Sequence, residues 1–412
     1  MQLKKFTLVI FLFSAFYVSK VSAQVLTQED SLSAGLINKQ QATVISGYGE
    51  AKYGIDTKRK SAEASLKRVV LFLGHKFNNK ISLFTELEVE DALVSQSGEG
   101  VAGKGGVSLE QAFLKFNLNP NTYLVAGLIV PRIGIINENH LPTTFNGVDR
   151  PFLEEQLIPS TWREVGVGLY GQFTQIPGLN YSLAVTNGLN SEGFSSDGGI
   201  TGGRQLGQAS NGMNLGVTGA LLYYVGDFRI QASGYIGGST AKEQRVADSL
   251  QLNSGPFGNP VSLGEMNVQY NKSGFAVRAL GTIINIKNAS AINRAFANNT
   301  PEQMYGGYGE LAYDLLYPTH KGEKAFVIFG RYEYINLSAK VPSNGLQNNA
   351  NEKQYIVGGF TYKPIRGIAI KADYVRRITG EFNQALIVTP FPQQIPYFKN
   401  NGFVNLGVAY NF

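Results

Sequence analysis

The sequence predicts an all-β fold: a transmembrane antiparallel β-barrel of about sixteen strands, with short periplasmic turns, long external loops and a third loop folded inward. Three observations carry this reading. Segments of about ten residues alternate apolar and polar, giving one face fit for lipid and one fit for water. Charged residues make up only 16% of the chain, well below the ~25% of an ordinary soluble domain. Yet mean hydropathy is close to zero, at −0.08, and no apolar run after Ala23 reaches the roughly 20 residues of a membrane helix. Forty-eight glycines and 46 Tyr and Phe, against a single Trp, fit strands that meet lipid.

Residues 1–23 read as a signal peptide. Met1-Gln2-Leu3-Lys4-Lys5 is a basic n-region, Phe6 to Val18 is an apolar core, and Val21-Ser22-Ala23 supplies the small residues of a cleavage site. Lys20 ends the apolar run too early for a spanning anchor. The mature chain then begins at Gln24, with 24–40 as a short periplasmic segment and 41–412 as the barrel. The leader carries three of the 36 Lys and Arg, which halves the formal net charge of +6. So balanced a chain, without a basic patch, argues against a nucleic-acid partner. The absence of Cys removes disulfides, thiolate metal sites and Cys nucleophiles.

The strands follow in order from the alternation: 41–53, 65–77, 80–91, 107–118, 122–130, 163–174, 180–187, 212–225, 227–238, 261–271, 273–287, 304–316, 325–335, 353–363, 367–377 and 401–412. In 80–91, Ile81, Leu83, Thr85, Leu87 and Val89 share one face, while Ser82, Phe84, Glu86, Glu88 and Glu90 share the other. Every second connection is short, such as Asn78-Asn79, Asn119-Pro120 and Gly226. The others, around 54–64, 92–106, 131–162, 188–211, 239–260, 288–303, 336–352 and 378–400, are long and rich in Gly, Asn and Ser. Sorting of loops by parity is how membrane barrels are built, with turns on one rim and loops on the other.

Catalytic signals fail one by one. Gly166-Val167-Gly168-Leu169-Tyr170-Gly171 spells a dinucleotide motif, but it lies in a strand rather than before a helix, so its glycines are lumen-facing strand residues. The glycine run 98–105 lacks the hydroxyl a phosphate loop needs at Gly105. His75 faces lipid or a rim, His140 falls in an external loop and His320 in a turn at the opposite end, so they share no site. The chain therefore reads as no enzyme, and no cofactor or metal is called for. Glu154-Glu155 or the stripe Glu86, Glu88 and Glu90 could hold a cation, although a solvated carboxylate row is the simpler reading. Trp162 reads as an interface aromatic.

The segment 131–162 stands apart. It has little strand pattern, but Ile133, Ile135, Ile136, Leu141, Phe145, Leu153 and Leu157 give it anchors, and four prolines stiffen it. Arg132, Glu138, Asp149, Arg150, Glu154 and Glu155 bring charge of both signs. Such a loop, folded into a water-filled barrel, narrows the pore and sets selectivity; a surface cap is the alternative. By strand parity, Arg68, Lys115, Arg229, Arg278, Arg331 and Lys371 line the lumen together with Glu86, Glu88, Glu90, Glu164, Glu333 and Asp373.

Gly127-Leu128-Ile129-Val130-Pro131, Arg150-Pro151-Phe152-Leu153-Glu154 and Arg163-Glu164-Val165-Gly166-Val167 resemble the centre of the phosphate-selective porin O/P family. The close resemblance covers about 107–175. It implies a trimeric outer-membrane porin, seated in outer-membrane lipid and assembled by barrel-assembly machinery that reads a C-terminal aromatic, here Phe412. The lumen's mixed charges and Arg132, where the family has Phe, depart from a phosphate channel. The leading expectation is passive diffusion of small hydrophilic solutes. A channel specific for an anion or a sugar, and a closed structural or adhesive barrel or an apolar-ligand transporter, are the alternatives.

Overall fold

The computed structural model describes residues 42–91, 106–319, 322–386 and 396–412. The leader, the segment 24–40, the glycine run at 98–105 and His320 lie outside the described residues. Sixteen strands close into one antiparallel barrel. The first half comprises β1 (Thr43–Asp56), β2 (Ser61–Lys76), β3 (Ile81–Glu90), β4 (Gly106–Asn119), β5 (Thr122–Ile129), β6 (Glu164–Gln172), β7 (Leu179–Asn187) and β8 (Leu215–Val225). The second half comprises β9 (Phe228–Gly237), β10 (Val261–Lys272), β11 (Phe275–Ile286), β12 (Gln303–Asp314), β13 (Ala325–Lys340), β14 (Glu352–Ile365), β15 (Ile368–Thr379) and β16 (Asn400–Asn411). Each pairs with its neighbours in sequence, and β1 meets β16 from Tyr48↔Asn411 to Asp56↔Phe403. Closure leaves no edge for lipid to meet.

Alternation along the chain becomes outside and inside. In β13, Ile328 and Tyr332 are 44% and 48% exposed on the outer face, while Phe329, Arg331 and Glu333 are buried within. The outer belt continues through Leu71, Val167, Leu221, Met266, Leu311 and Leu406. So extended an apolar surface is stable only against hydrocarbon. At the short-turn rim, Phe228–Tyr270, Phe275–Tyr313 and Phe173–Tyr181 pair with ring centroids 4.8, 4.4 and 5.0 Å apart. Amphipathic rings favour that headgroup level. Among the described residues no helix is long and apolar enough to cross a membrane; the strands cross it.

Turn chemistry follows the sequence. Ser273 and Gly274, at φ of 51° and 82°, make the two-residue hairpin between β10 and β11. One connection departs from expectation: 54–64 is not a long loop, because β1 runs to Asp56 and β2 begins at Ser61. Asp56 Oδ1 accepts from the backbone N–H of Lys58 and Arg59 at 3.0 and 2.9 Å, which builds a tight turn.

Of the register shifts that interrupt the alternation, two bring a charged residue into the lumen. Glu50 faces Arg68 and Ala51 faces Leu66, so Lys67 is an extra residue of β2. Glu86 faces Gln111 and Leu87 faces Leu109, so Glu110 is an extra residue of β4. A bulge opposes two residues to one and re-aims a side chain. Both extra residues turn inward, where Lys67 reaches Asp149 and Glu110 is fully buried.

Part of the interior is dry. Val261 and Leu263 of β10, Leu280 and Ile284 of β11, Met304 of β12 and Ile335 and Leu337 of β13 pack in one apolar cluster with the long loops. Leu189, Phe194 and Ile200 join it from 188–214, as does Ile292 of a short helix at Ala289–Phe296.

Candidate functional site

The connection 130–163, between β5 and β6, enters the barrel. Its main chain and side chains are held by inward-facing residues around most of the wall. On β9, Arg229 bonds Glu138, and Gln231 donates to Gly134 O at 3.2 Å. On β11, Arg278 donates to Thr144 O at 2.8 Å. On β12 and β13, Asn146 donates to Glu310 at 3.0 Å, and Arg331 bridges Glu310 and Glu333 at 3.1 and 2.8 Å. Leu153 N donates to Glu333 at 2.8 Å. On β15, Lys371 donates to Phe145 O at 2.9 Å, and Val148 N donates to Asp373 at 2.6 Å. Thr143 reaches Asn411 of β16 at 2.6 Å, and Asp149 pairs with Lys52 of β1 and Lys67 of β2 at 2.5 and 3.3 Å. Backbone carrying so many polar groups can be buried only because the charged wall satisfies them.

The loop also closes on itself. A short helix, α1 (Phe152–Gln156), carries Glu154, whose Oε2 accepts from Ile135 N and Ile136 N at 2.7 Å each while Oε1 accepts from Tyr308 at 2.8 Å. Burial outweighs these bonds and pushes the Glu154 pKa up to about 7. Gly134, at φ 80°, makes room: a Cβ there would lie 2.7 Å from Glu154 Oε2. Burial would also raise Asp149, but Lys67 and Lys52 overcome it and hold the carboxyl below its usual range. Arg132 lies 5.0 Å from the Tyr170 ring and 3.6 Å from Glu138. Trp162 is not an interface aromatic: it is fully buried, 4.7 Å from the Tyr235 ring, because the loop's end turns into the apolar cluster.

The carboxylate stripe of β3 is likewise not a solvated row. Glu86 and Glu88 are 0% and 2% exposed, and only Glu90, at the strand's end, is open. Arg68 pairs with Glu50 at 2.8 Å and with Glu88 at 3.2 Å, and Arg163 pairs with Glu88 at 3.4 Å. His140, carried by the inward-folded third loop, lies inside the barrel. Its Nε2 is 3.4 Å from Glu110 Oε2 and 3.6 Å from Glu86 Oε2. Burial would lower the imidazole pKa, but Glu110 and Glu86 overcome it and push it up to about 9.

The remaining expected residues divide. Lys115 faces inward over the Tyr123 ring at 4.0 Å. Glu164 is spent on structure, accepting from Asn187 at 2.6 Å and from Gln205 N at 3.1 Å. Arg150 is buried in the loop and Glu155 is half-buried on α1. Gly166 and Gly168 face the lumen as expected, but Gly171 packs against outward Tyr181. Phe412 is 70% exposed and pairs its backbone with Gly47. Sequence reasoning missed Glu50, Lys52, Lys67, Glu110 and Tyr48. Parity would have placed Glu50, Lys52 and Tyr48 beside Arg68, but the bulges conceal Lys67 and Glu110.

No family model matches the chain. It is 31% identical over 344 residues to an uncharacterized protein of Aquifex aeolicus, covering 81% of this chain and 75% of that one. Among solved structures, it is similar to the outer membrane channel DcaP of Acinetobacter baumannii (TM-score 0.53, 12% identity, 90% of this chain and 97% of that one). It is also similar to OmpF of Salmonella typhi in complex with daunomycin (TM-score 0.52, 13% identity, with the same shares covered). At such identities the likeness is one of fold alone. The chain belongs to one family with the Aquifex aeolicus protein, folded as a barrel of the outer-membrane type.

Proposed function

We propose that the chain is an outer-membrane porin through which small hydrophilic solutes and ions diffuse. The observation that carries this reading is a polar cavity along the β16–β1–β2 wall. It measures about 570 Å³ and is lined by Lys52, Asp56, Arg59, Lys67, Asp91 and Asn405 among others. A second cavity of about 280 Å³ shares Lys52, Phe403 and Asn405 with it and reaches Asp149, Gln156 and Arg377. Charges of both signs around a narrow space favour hydrated solutes over apolar ones. The reading includes export through residues 1–23, insertion by machinery that engages Phe412, and a homotrimer in outer-membrane lipid. It includes no enzymatic activity: His140 is held between carboxylates and His75 bonds Thr43 at 2.8 Å near a rim.

A second reading, a channel selective for an anion such as phosphate, is favoured by the gathering of Arg132 and Arg278 about Arg229. It agrees with the resemblance to the phosphate-selective porin O/P family. Glu138, bonded to Arg229 within that group, weighs against it. Single-channel recording in a planar bilayer tests both. A steady ohmic chloride current insensitive to phosphate supports diffusion, and block by millimolar phosphate supports selectivity. Silence from folded, inserted protein removes the porin reading.

A further inference from the structure

The geometry points to a binding site for a divalent metal ion of the zinc class at Glu86, Glu110 and His140, where the third loop passes β3 and β4. The three side chains are 0%, 0% and 2% exposed, and one donor atom from each lies within 4.8 Å of the others. His140 Nε2 stands 3.4 Å from Glu110 Oε2 and 3.6 Å from Glu86 Oε2, so one nitrogen faces two carboxylates at once. The first distance matches the edge of a tetrahedron and the second exceeds it slightly, since donors about 2.0–2.1 Å from a shared zinc ion stand ~3.3–3.4 Å apart.

The surroundings orient the ligands as an outer shell does. Tyr48 donates to Glu110 Oε2 and Thr161 donates to Glu110 Oε1, each at 2.6 Å. The Tyr48 ring meets the imidazole edge-on at 5.9 Å. Of the nearby cations, Arg68 pairs directly with Glu50 and Glu88, and Arg163 pairs with Glu88. With a neutral imidazole, a divalent ion offsets the charges of both carboxylates. Arg150 also acts on Glu110, which lowers affinity below that of a closed structural zinc site. The imidazole selects against calcium and magnesium, which take oxygen ligands, and water completes the shell. A bound ion would pin His140, midway along the loop, to the wall. The site stands on this geometry alone and would hold in a barrel that conducts nothing.

The test uses the untagged, folded barrel in detergent, stripped with chelator and titrated with zinc alone. The expected result is one equivalent bound in the micromolar range, with the visible absorption of tetrahedral cobalt when cobalt replaces zinc. Glu110→Gln and His140→Asn, checked for heat-modifiable folding, should each weaken binding by about tenfold or more, whereas His75→Asn should change nothing. Zinc X-ray absorption on the parent protein should show a nitrogen and oxygen shell with a single imidazole, a readout independent of any variant's folding. Absence of saturable binding by the parent, a zinc spectrum without imidazole, or binding that survives His140→Asn in a folded barrel would each overturn the site.

Discussion

The two sides of the lumen are ordered by different forces. On β10–β13, the wall presents Val261, Leu263, Leu280, Ile284, Met304, Ile335 and Leu337, and the third loop answers with Leu153, Leu157 and Ile158. On β1–β4, the wall presents Glu50, Lys52, Lys67, Arg68, Glu86, Glu88 and Glu110, and the loop answers with His140 and Asp149. Apolar contacts gain from excluding water and have no charge to exchange. Ion pairs carry charge of both signs, and those that border a water-filled cavity, Lys52 and Lys67 with Asp149, can act on an ion that enters it. Polar contacts hold the loop around the wall, and the apolar cluster adds to them on one side only, while the cavities open on the other.

Changes on the apolar side should be the costliest. Leu153→Ala removes a fully buried anchor and should destabilise the seated loop by about 2–5 kcal/mol. The chain's only tryptophan, Trp162, lies in the same cluster, so its emission should shift to the red and the urea midpoint should fall. An unchanged spectrum would mean that the cluster does not hold the loop. Next comes Glu154, which joins the two halves of the loop. Its folded pKa is raised to about 7 from 4.5, so its contribution is full below about pH 4.5 and is lost as pH rises through about 7. Between pH 5 and 8 the loop should weaken by on the order of 2–3 kcal/mol. Glu154→Gln should flatten that slope, and a slope that persists in the variant would assign it to another group.

The charged side should show its effects in selectivity rather than stability. Asp149→Asn leaves Lys52 and Lys67 without their shared carboxylate. The anion-to-cation permeability ratio should rise roughly threefold, read as the reversal potential in a salt gradient. No change would place the passage away from β1 and β2. The smallest effect belongs to Lys58→Glu, in the exposed turn 57–60. At 0.1 M salt, screening over about 10 Å should leave the reversal potential unaltered. Arg204 is unsuited to that control, because it donates to Thr161 O at 3.1 Å and so touches the root of the loop.

Period-two alternation made the strands legible, since one face must meet lipid and each strand repeats the signal. It also placed Arg331, Glu333, Lys371 and Asp373 correctly inside the barrel. It failed where the period itself breaks. Lys67 and Glu110 are bulge residues, and counting by twos carries no trace of them. Trp162 was misplaced for another reason: an aromatic at the start of a strand can turn toward the headgroups or into the lumen, and its sequence position is the same in both cases. The stripe Glu86 and Glu88 looked solvated because its partners, Arg163 and His140, arrive from distant segments.

The seating of residues 143–149 has a kinetic consequence. This short stretch touches Asn411 of β16, Asp373 of β15, Lys52 of β1 and Lys67 of β2, and so it straddles the seam where the first and last strands meet. A slip of that seam by two residues would keep every side chain on its proper face and pass unnoticed by the lipid. It would also carry Lys52 about 7 Å along its strand relative to Asn411, too far for one short segment to reach both. The loop can therefore latch only onto a correctly zipped seam. In refolding, Trp162 emission should reach its final value after the heat-modifiable barrel has formed, and a barrel closed out of step should remain unlatched and free to reopen.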